Sequence, residues 1–484
     1  MIKAKQTKKR GIAVLMTAFA LMIIIPIVGL GIDVGLLYLA KAKLSAACDA
    51  AALAAARCLN RGLTLADQES AAHDRAIAYF DANFPVGYMN SRSRTRDATV
   101  AETSYRLRTV TVTASTIQPL YFMGVLGFNQ VTIGATGKAN RRDVNLMIVL
   151  DRSGSMQTSG ACTPMKDAAR SFLTYFANGR DRLGLITYSS GYYFAVAPTM
   201  NFYSTMDSTI SSITCSGGTG AAAAVSEAYH QIQTINEAGV LNMIVMFTDG
   251  VANGVYASYP VKKVTDTRYG DGSSSYSNTG SLYSMPPSTC KDGSGKSYPT
   301  AGWNPANKVA VMVGDTGTTG TSWGLYAPTM SSITAGDTAS SDSNGCGFAS
   351  SVNNRYRRDI AYVPDTDLYG NNLKCCYQTP NNFTSGGYSG YIRPDRPIDI
   401  QKAAGNACDN LAATVRADTT LAPVIYTIGL GTVDEVLLKR MSNDPASPIY
   451  DSTKQVGMYA YAPDATQLSA AFAKIASEIL RLAR

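Results

Sequence analysis

Three short stretches of this sequence place oxygen-bearing side chains at spacings that suit one another: Asp151-Arg152-Ser153-Gly154-Ser155, Gly217-Gly218-Thr219 and Thr248-Asp249-Gly250. Asp151, Ser153, Ser155, Thr219 and Asp249 together offer carboxylates and neutral hydroxyls, all hard donors. Such a set suits a hard divalent cation, Mg²⁺ in the first place, with Mn²⁺ or Ca²⁺ as alternatives. With few anionic ligands the ion stays electrophilic, and an open coordination position would attract a carboxylate from a protein partner. Most catalytic chemistry lacks raw material, because His73 and His230 are the only histidines for a Ser-His-Asp triad, a Cys-His pair or a histidine-rich zinc site. No general base accompanies the candidate ligands, so a binding protein and not an enzyme is expected.

The elements that must position these residues are legible as apolar runs. VNLMIVL at 144–150 is apolar nearly throughout, as a parallel strand buried on both faces requires, and it ends in Asp151. NMIVMF at 242–247 repeats the pattern ahead of Thr248 and Asp249; RLGLITYS at 182–189 and APVIYTIGLG at 422–431 are further strands, and YFAVAPTM at 193–200 a short edge strand. Between them lie helical stretches: one opened by Thr163 as a hydroxyl cap with Pro164 in the first turn, AAAAVSEAYHQIQTI after Gly220, residues 398–416, and the closing DATQLSAAFAKIASEILRLA. The alternation predicts an α/β fold with a doubly wound, mostly parallel, Rossmann-like sheet, which binds ligands beyond the carboxyl ends of its strands where strand order reverses.

This sheet is expected in two pieces, 143–252 and 398–484, separated by an insertion at 253–397 rich in Gly, Ser, Thr, Asn and Tyr. The insertion holds Trp303, Trp323 and 13 of the 28 tyrosines, which argues against a bare linker and leaves two readings, a binding face beside the cation or a stabilising cap. Within it, Asp365, Asp367, Gly370 and Asn371 only faintly resemble a calcium loop, since Tyr369 and Cys376 stand where ligands would be needed; Gly295-Lys296-Ser297 lacks the rest of a phosphate-binding loop.

Toward the N-terminus, Gly11–Ile32 is free of charge, and as helix it spans about 33 Å, enough for a bilayer core. Residues 1–10 form a basic tail: Lys3, Lys5, Lys8, Lys9 and Arg10 supply five units of the formal net charge of +8. No basic groove for nucleic acid is left over. The tail predicts a cytoplasmic N-terminus and a single-pass membrane protein whose bulk lies across the membrane, where its nine cysteines can be oxidised. A retained anchor is preferred to a cleaved signal peptide, as no clear cleavage site follows the run.

Helical patterning continues through residue 60 as an Ala-rich stalk whose alanines at 46–47, 50–52 and 54–56 either simply favour helix or admit a second helix in an assembly; Asp33 and Asp49 read as boundary carboxylates, solvated or paired with a neighbour's lysine. Residues 61–142 are expected to form a small α+β module, with an amphipathic helix at 63–85, a Ser/Arg-rich loop at 91–97, and two strand-like runs, TVAETSYRLRTVTVTAS and VTIGATGKA. Among the cysteines, Cys162 and Cys215 flank two of the candidate ligand loops and are expected to form a disulfide; Cys48 and Cys58 on one helix cannot bridge each other, and the remaining five are left unassigned.

Two resemblances follow from these residues. G-I-A-V-L-M, P-I-V-G-L-G-I-D-V-G-L-L-Y-L-A and L-S-A-A-C-D-A-A-A-L-A-A-A, within Gly11–Ala56, resemble the N-terminal segment of the TadE/TadG-like proteins of Flp (Tad) pilus assembly. Met16 stands where cleaved prepilins carry Glu, in keeping with a permanent anchor. The D-x-S-x-S, G-G-T and T-D-G series resembles the metal-ion-dependent adhesion site (MIDAS) of von Willebrand factor A (vWA) domains, which implies metal-site roles for Asp151, Ser153, Ser155, Thr219 and Asp249. Together they imply an inner-membrane, pilus-associated protein, its bulk periplasmic or at the cell surface, whose A domain binds pilus subunits or a host-surface protein in adhesion or assembly. The alternative is a structural, minor-pilin-like subunit that polymerises through its N-terminal helix, with the metal site incidental.

Overall fold

The computed structural model describes residues 9–189, 191–257, 363–383, 392 and 397–483, with short strand segments between 290 and 326. Trp303, Trp323, Cys346, the Gly295-Lys296 pair and most of the insertion's tyrosines lie outside the described residues. The chain divides into two compact units, one up to Arg142 and one over Asp143–Leu482.

In the first unit, helix α1 (Lys9–Ala56) carries Pro26 inside it, and its apolar half reaches a mean hydropathy of 2.5 while staying almost wholly exposed. It is long and apolar enough to cross a membrane. The other half is core and not a free stalk. Ala40, Leu44, Ala47, Cys48, Ala51, Ala52 and Ala55 recur at helical spacing and are buried against helix α2 (Leu65–Asn83) and an antiparallel sheet of β1 (Arg92–Ser104), β2 (Leu107–Pro119) and β3 (Gln130–Arg142). The small residues let backbone meet backbone: a Cβ on Gly137 of β3 would lie 2.4 Å from the Cys48 carbonyl carbon. The alanine stripe is therefore taken up by the chain's own α2 and sheet, which corrects its reading as a surface for a helix of an assembly partner.

Two other expectations for this unit change. The Ser/Arg-rich stretch 91–97 is mostly strand, not loop, because Arg94 and Arg96 each reach Asp81 of α2 at 2.8 and 2.7 Å and so turn a charged segment into a lid over the helix. The strand run from 99 to 115 is broken by a turn at Tyr105-Arg106, where Arg106 takes a left-handed φ of 53°, and folds back on itself as β1 and β2. The α2 helix starts one residue after Thr64, whose side chain accepts from Asp67 N in a reciprocal capping box.

The second unit follows the expected pattern closely. Its strands and helices run β4 (Val144–Asp151), α3 (Gly154–Thr158), α4 (Cys162–Leu173), β5 (Arg182–Tyr188), β6 (Tyr192–Thr199), α5 (Tyr203–Ser211), α6 (Ala221–Ile235), β7 (Leu241–Thr248) and β8 (Gly254–Ala257). After β9 (Cys290–Lys291), β10 (Ser297–Tyr298), β11 (Ala310–Val313) and β12 (Gly324–Tyr326), the sheet resumes with α7 (Pro397–Ala417), β13 (Val424–Leu430), α8 (Glu435–Ser442), β14 (Tyr459–Ala462) and α9 (Leu468–Leu482). Six strands form one sheet in the order β14-β13-β7-β4-β5-β6, parallel except for the edge strand β6. This is the mixed α/β, mostly parallel sheet expected.

Burial on both faces explains the unbroken apolar strands. Met147, Val149, Ile244 and Met246 meet α6 and α7 residues such as Val225, Ala404 and Leu411 in one core cluster. On the other side Phe247 of β7 sits 5.9 Å from Phe472 of α9, which meets Phe172 of α4 at 5.4 Å. Helix α4 begins at Cys162, so Thr163 lies in its first turn and does not cap it. Among the insertion's described residues, β8 pairs with β11 and β11 with β12 in a small antiparallel sheet.

Candidate metal centre

Strand β5 lies on one side of β4 and β7 on the other, so chain order reverses between β4 and β7. The carboxyl ends of those two strands deliver Asp151 and Thr248-Asp249 to that reversal, where a doubly wound sheet leaves a crevice.

Asp151 is wholly buried. Its Oδ1 accepts from Ser153 N at 2.8 Å and its Oδ2 from Thr248 Oγ1 at 2.8 Å. Ser155 Oγ donates to Asp249 Oδ1 at 2.7 Å; Ser153 Oγ lies 2.9 Å from Ser155 Oγ and donates to the same Asp249 oxygen at 3.4 Å. Asp151, Ser153, Ser155 and Asp249 thus form one hydrogen-bonded cluster with Thr248 as its base.

Thr219 is brought alongside by main-chain ties. Gly154 N donates to Gly217 O at 2.8 Å and Ser216 N to Arg152 O at 2.7 Å, which lays the glycine loop against the Asp151–Ser155 loop. A Cys162–Cys215 disulfide staples the same two segments, as expected from their positions. Thr219 N donates to Asn253 Oδ1 at 2.6 Å, and Asn253 N returns a bond to Thr219 O at 3.0 Å. The Thr219 hydroxyl is buried but is not among the hydrogen-bonded oxygens of the cluster.

Sequence reasoning overlooked Thr248, Asn253 and Tyr188, whose hydroxyl supports the end of β7 by donating to Phe247 O at 3.0 Å. Thr248 was signalled by its place in T-D-G; the other two carry no local signature. The faint calcium loop is a self-satisfied turn: Asp367 Oδ1 accepts from Tyr369 N and Asn371 N at 2.9 and 2.8 Å, and Asp365 pairs with Lys374.

The electrostatics of the cluster are unbalanced. Burial, and then the negative charge of Asp249, push the Asp151 carboxyl up to about 7. Asp249 is also raised by burial, against the lowering effect of the Ser155 and Ser153 hydroxyls. Two desolvated carboxylates with no cationic side chain between them among the described residues are the condition a dication relieves. The donor set is oxygen throughout, and among the described residues no three His, Cys, Asp or Glu side chains gather into a cage. The residues fit a hard, weakly neutralised cation and do not fit zinc. Beside them a surface hollow of about 270 Å³ is lined by Arg152, Thr187, Tyr193, Ala195, Thr209 and Ile213, with the Arg152 guanidinium 5.8 Å from the Tyr193 ring centre.

Residues 146–251, which run from β4 to just beyond β7, match the model of the von Willebrand factor type A domain. Residues 11–57 match the Flp pilus-assembly TadE/G-like family, so the chain joins a TadE/G-like segment to a von Willebrand factor type A domain. Solved structures similar to the chain include the vWF domain of the type V pili tip protein Mfa5 from Porphyromonas gingivalis, at 16% identity and a TM-score of 0.36, covering 71% of this chain and 97% of that one. The PilB minor pilin from Streptococcus sanguinis matches at 12% identity and a TM-score of 0.32, over 82% and 80% of the two chains. The pilus adhesin SpaC from Lactobacillus rhamnosus GG matches at 14% identity and a TM-score of 0.33, with 80% of this chain but 35% of that one covered. No curated protein matches. The two family matches together support a pilus-associated protein of the adhesion or assembly kind.

Proposed function

We propose that this protein is anchored in the bacterial inner membrane by α1, with a cytoplasmic N-terminus, and that its A domain binds an acidic side chain of a protein partner through a divalent cation. The observation that carries the reading is the cluster at the ends of β4 and β7: a wholly buried Asp151, raised to about 7, beside Asp249 and the hydroxyls of Ser153 and Ser155, with no cationic side chain among the described residues of the cluster. Asp151, Ser153, Ser155, Thr219 and Asp249 would hold Mg²⁺, or Mn²⁺ or Ca²⁺. When bound, the cation supplies a positive centre for the partner's carboxylate. Thr248 keeps the Asp151 carboxylate oriented, and the Cys162–Cys215 staple keeps the glycine loop against the Asp151–Ser155 loop. Arg152, at the edge of the neighbouring hollow, adds a second charge of the sign that attracts an acidic segment.

The role is adhesive or assembly-directed and not catalytic, and the partner is a pilus subunit or a host-surface protein. Polymerisation through the helix is less favoured, since the alanine stripe that would drive it is buried within the chain's own first unit. Binding of the full chain to purified pilin and to host surface protein, with and without EDTA, tests the reading. Wild type should bind in Mg²⁺ and lose binding in EDTA; Asp151→Ala should not bind in either, and Arg152→Ala should bind about tenfold more weakly. Equal binding by wild type and Asp151→Ala would refute the metal-dependent mechanism.

A further inference from the structure

The turn between β2 and β3, residues 120–129, reads LYFMGVLGFN, an apolar composition where a water-facing turn would carry Gly, Asn, Asp or Ser throughout. Its large side chains are exposed: Tyr121 52%, Phe122 41%, Leu126 63% and Phe128 58%. The turn is fixed to α1. Phe122 packs on Gly29 so tightly that a Cβ at that glycine would lie 2.5 Å from the Phe122 Cβ, and Gly29 is the one buried residue between Val14 and Ile32.

One helical turn further on, the buried carboxylate of Asp33 takes up the turn's backbone. Its Oδ1 accepts from Tyr121 N at 2.9 Å and its Oδ2 from Phe122 N and Met123 N at 2.9 and 2.8 Å. Asp33 is therefore neither a solvated boundary carboxylate nor a partner for a neighbour's lysine. Leu120 N donates to Asn129 O at 3.0 Å and Phe128 N to Met123 O at 3.1 Å. This is the internal pairing a loop needs where water is scarce and an unmatched N–H costs several kcal/mol. Asn90 Nδ2 donates to the Tyr121 hydroxyl at 2.7 Å.

Gly29 lies inside the uncharged stretch, about 6 Å along the helix from Asp33. The exposed face of the turn is thus continuous with Ile25, Val28, Leu30 and Ile32, the exposed apolar residues of the same part of α1.

We propose that the β2–β3 turn is a second membrane contact, in which Tyr121, Phe122, Leu126 and Phe128 enter the interfacial layer of the leaflet from which α1 emerges. The occupant is lipid, because the surface joins the part of α1 that lipid surrounds, and because two aromatic rings and a tyrosine hydroxyl at the boundary match an interfacial belt. The contact sets the tilt and rotation of the first unit on the membrane. The inference rests on the reading that α1 spans the bilayer, so its test separates the two.

The full chain is reconstituted in vesicles of phosphatidylethanolamine and phosphatidylglycerol with p-benzoylphenylalanine replacing Met22, Leu126 or Tyr105, one at a time. Tyr105 is 66% exposed at the opposite end of the β1–β2 hairpin, about 40 Å away along β2, and serves as the water-facing control. After illumination, mass spectrometry should find lipid adducts at positions 22 and 126 roughly tenfold above those at 105. Adducts at 22 with position 126 no higher than 105, or crosslinks from 126 to a second copy of the chain, would overturn the proposal and leave the spanning helix standing. Adducts at neither 22 nor 126 would overturn both.

Discussion

Asp33 and Asp151 are both buried carboxylates that end an apolar run, and they are used in opposite ways. Asp33 accepts three backbone N–H bonds from one turn, so its oxygens are consumed by the chain that carries it. Asp151 accepts one backbone N–H and one hydroxyl, and then faces a second carboxylate across two serines. A buried charge whose acceptor capacity is filled by its own fold is structural, whereas one left against a like charge has capacity that something outside the chain must complete.

The contrast can be broken from either side. The largest effect is expected at the clasp: Asp33→Ala leaves three amide donors without their acceptor and should cost about 3 kcal/mol, read as early thermal unfolding or proteolysis of the first unit in detergent. Cation binding in the second unit should be unchanged. At Asp151 the sign reverses. Asp151→Asn removes a buried charge, keeps an oxygen to accept from Ser153 N and turns the other bond round so that its amide NH₂ donates to the Thr248 hydroxyl, so the metal-free protein should gain about 1 kcal/mol and lose its response to Mg²⁺.

The pH dependence sharpens the same point. The Asp151 carboxyl is raised from the ordinary carboxylate range to about 7, so the folded site favours the protonated acid. Its contribution to stability is complete at low pH, below the unfolded value, and is lost as pH rises through about 7. Melting in EDTA should therefore fall across that window, and saturating Mg²⁺, which competes with the proton for the same oxygens, should abolish the fall. A melting profile identical with and without Mg²⁺ would contradict it.

How much of this was legible in sequence depended on the range of the contacts. The sheet of the second unit could be read because strands buried on both faces are apolar whatever their neighbours, and 144–150, 242–247 and 422–431 each reappear as a strand. The candidate donors were legible because Asp151 and Asp249 directly follow such runs, and the Cys162–Cys215 pair because it flanks the loops. What failed depended on distant partners. Arg94 and Arg96 looked like loop because the residue that makes them strand, Asp81, lies on another helix. The role of Asp33 is set by a turn 88 residues away. The alanine stripe reads as a close-packing surface, but composition does not say whether another molecule or the chain's own α2 and sheet, the latter admitted by Gly137, will cover it.

The cation site is tested by titration of the purified chain with Mn²⁺ monitored by electron paramagnetic resonance. Wild type should give a bound Mn²⁺ signal that Mg²⁺ displaces and that Asp151→Ala and Asp249→Ala both abolish. Undiminished binding in those variants, or none in wild type at millimolar Mn²⁺, would contradict the proposed site.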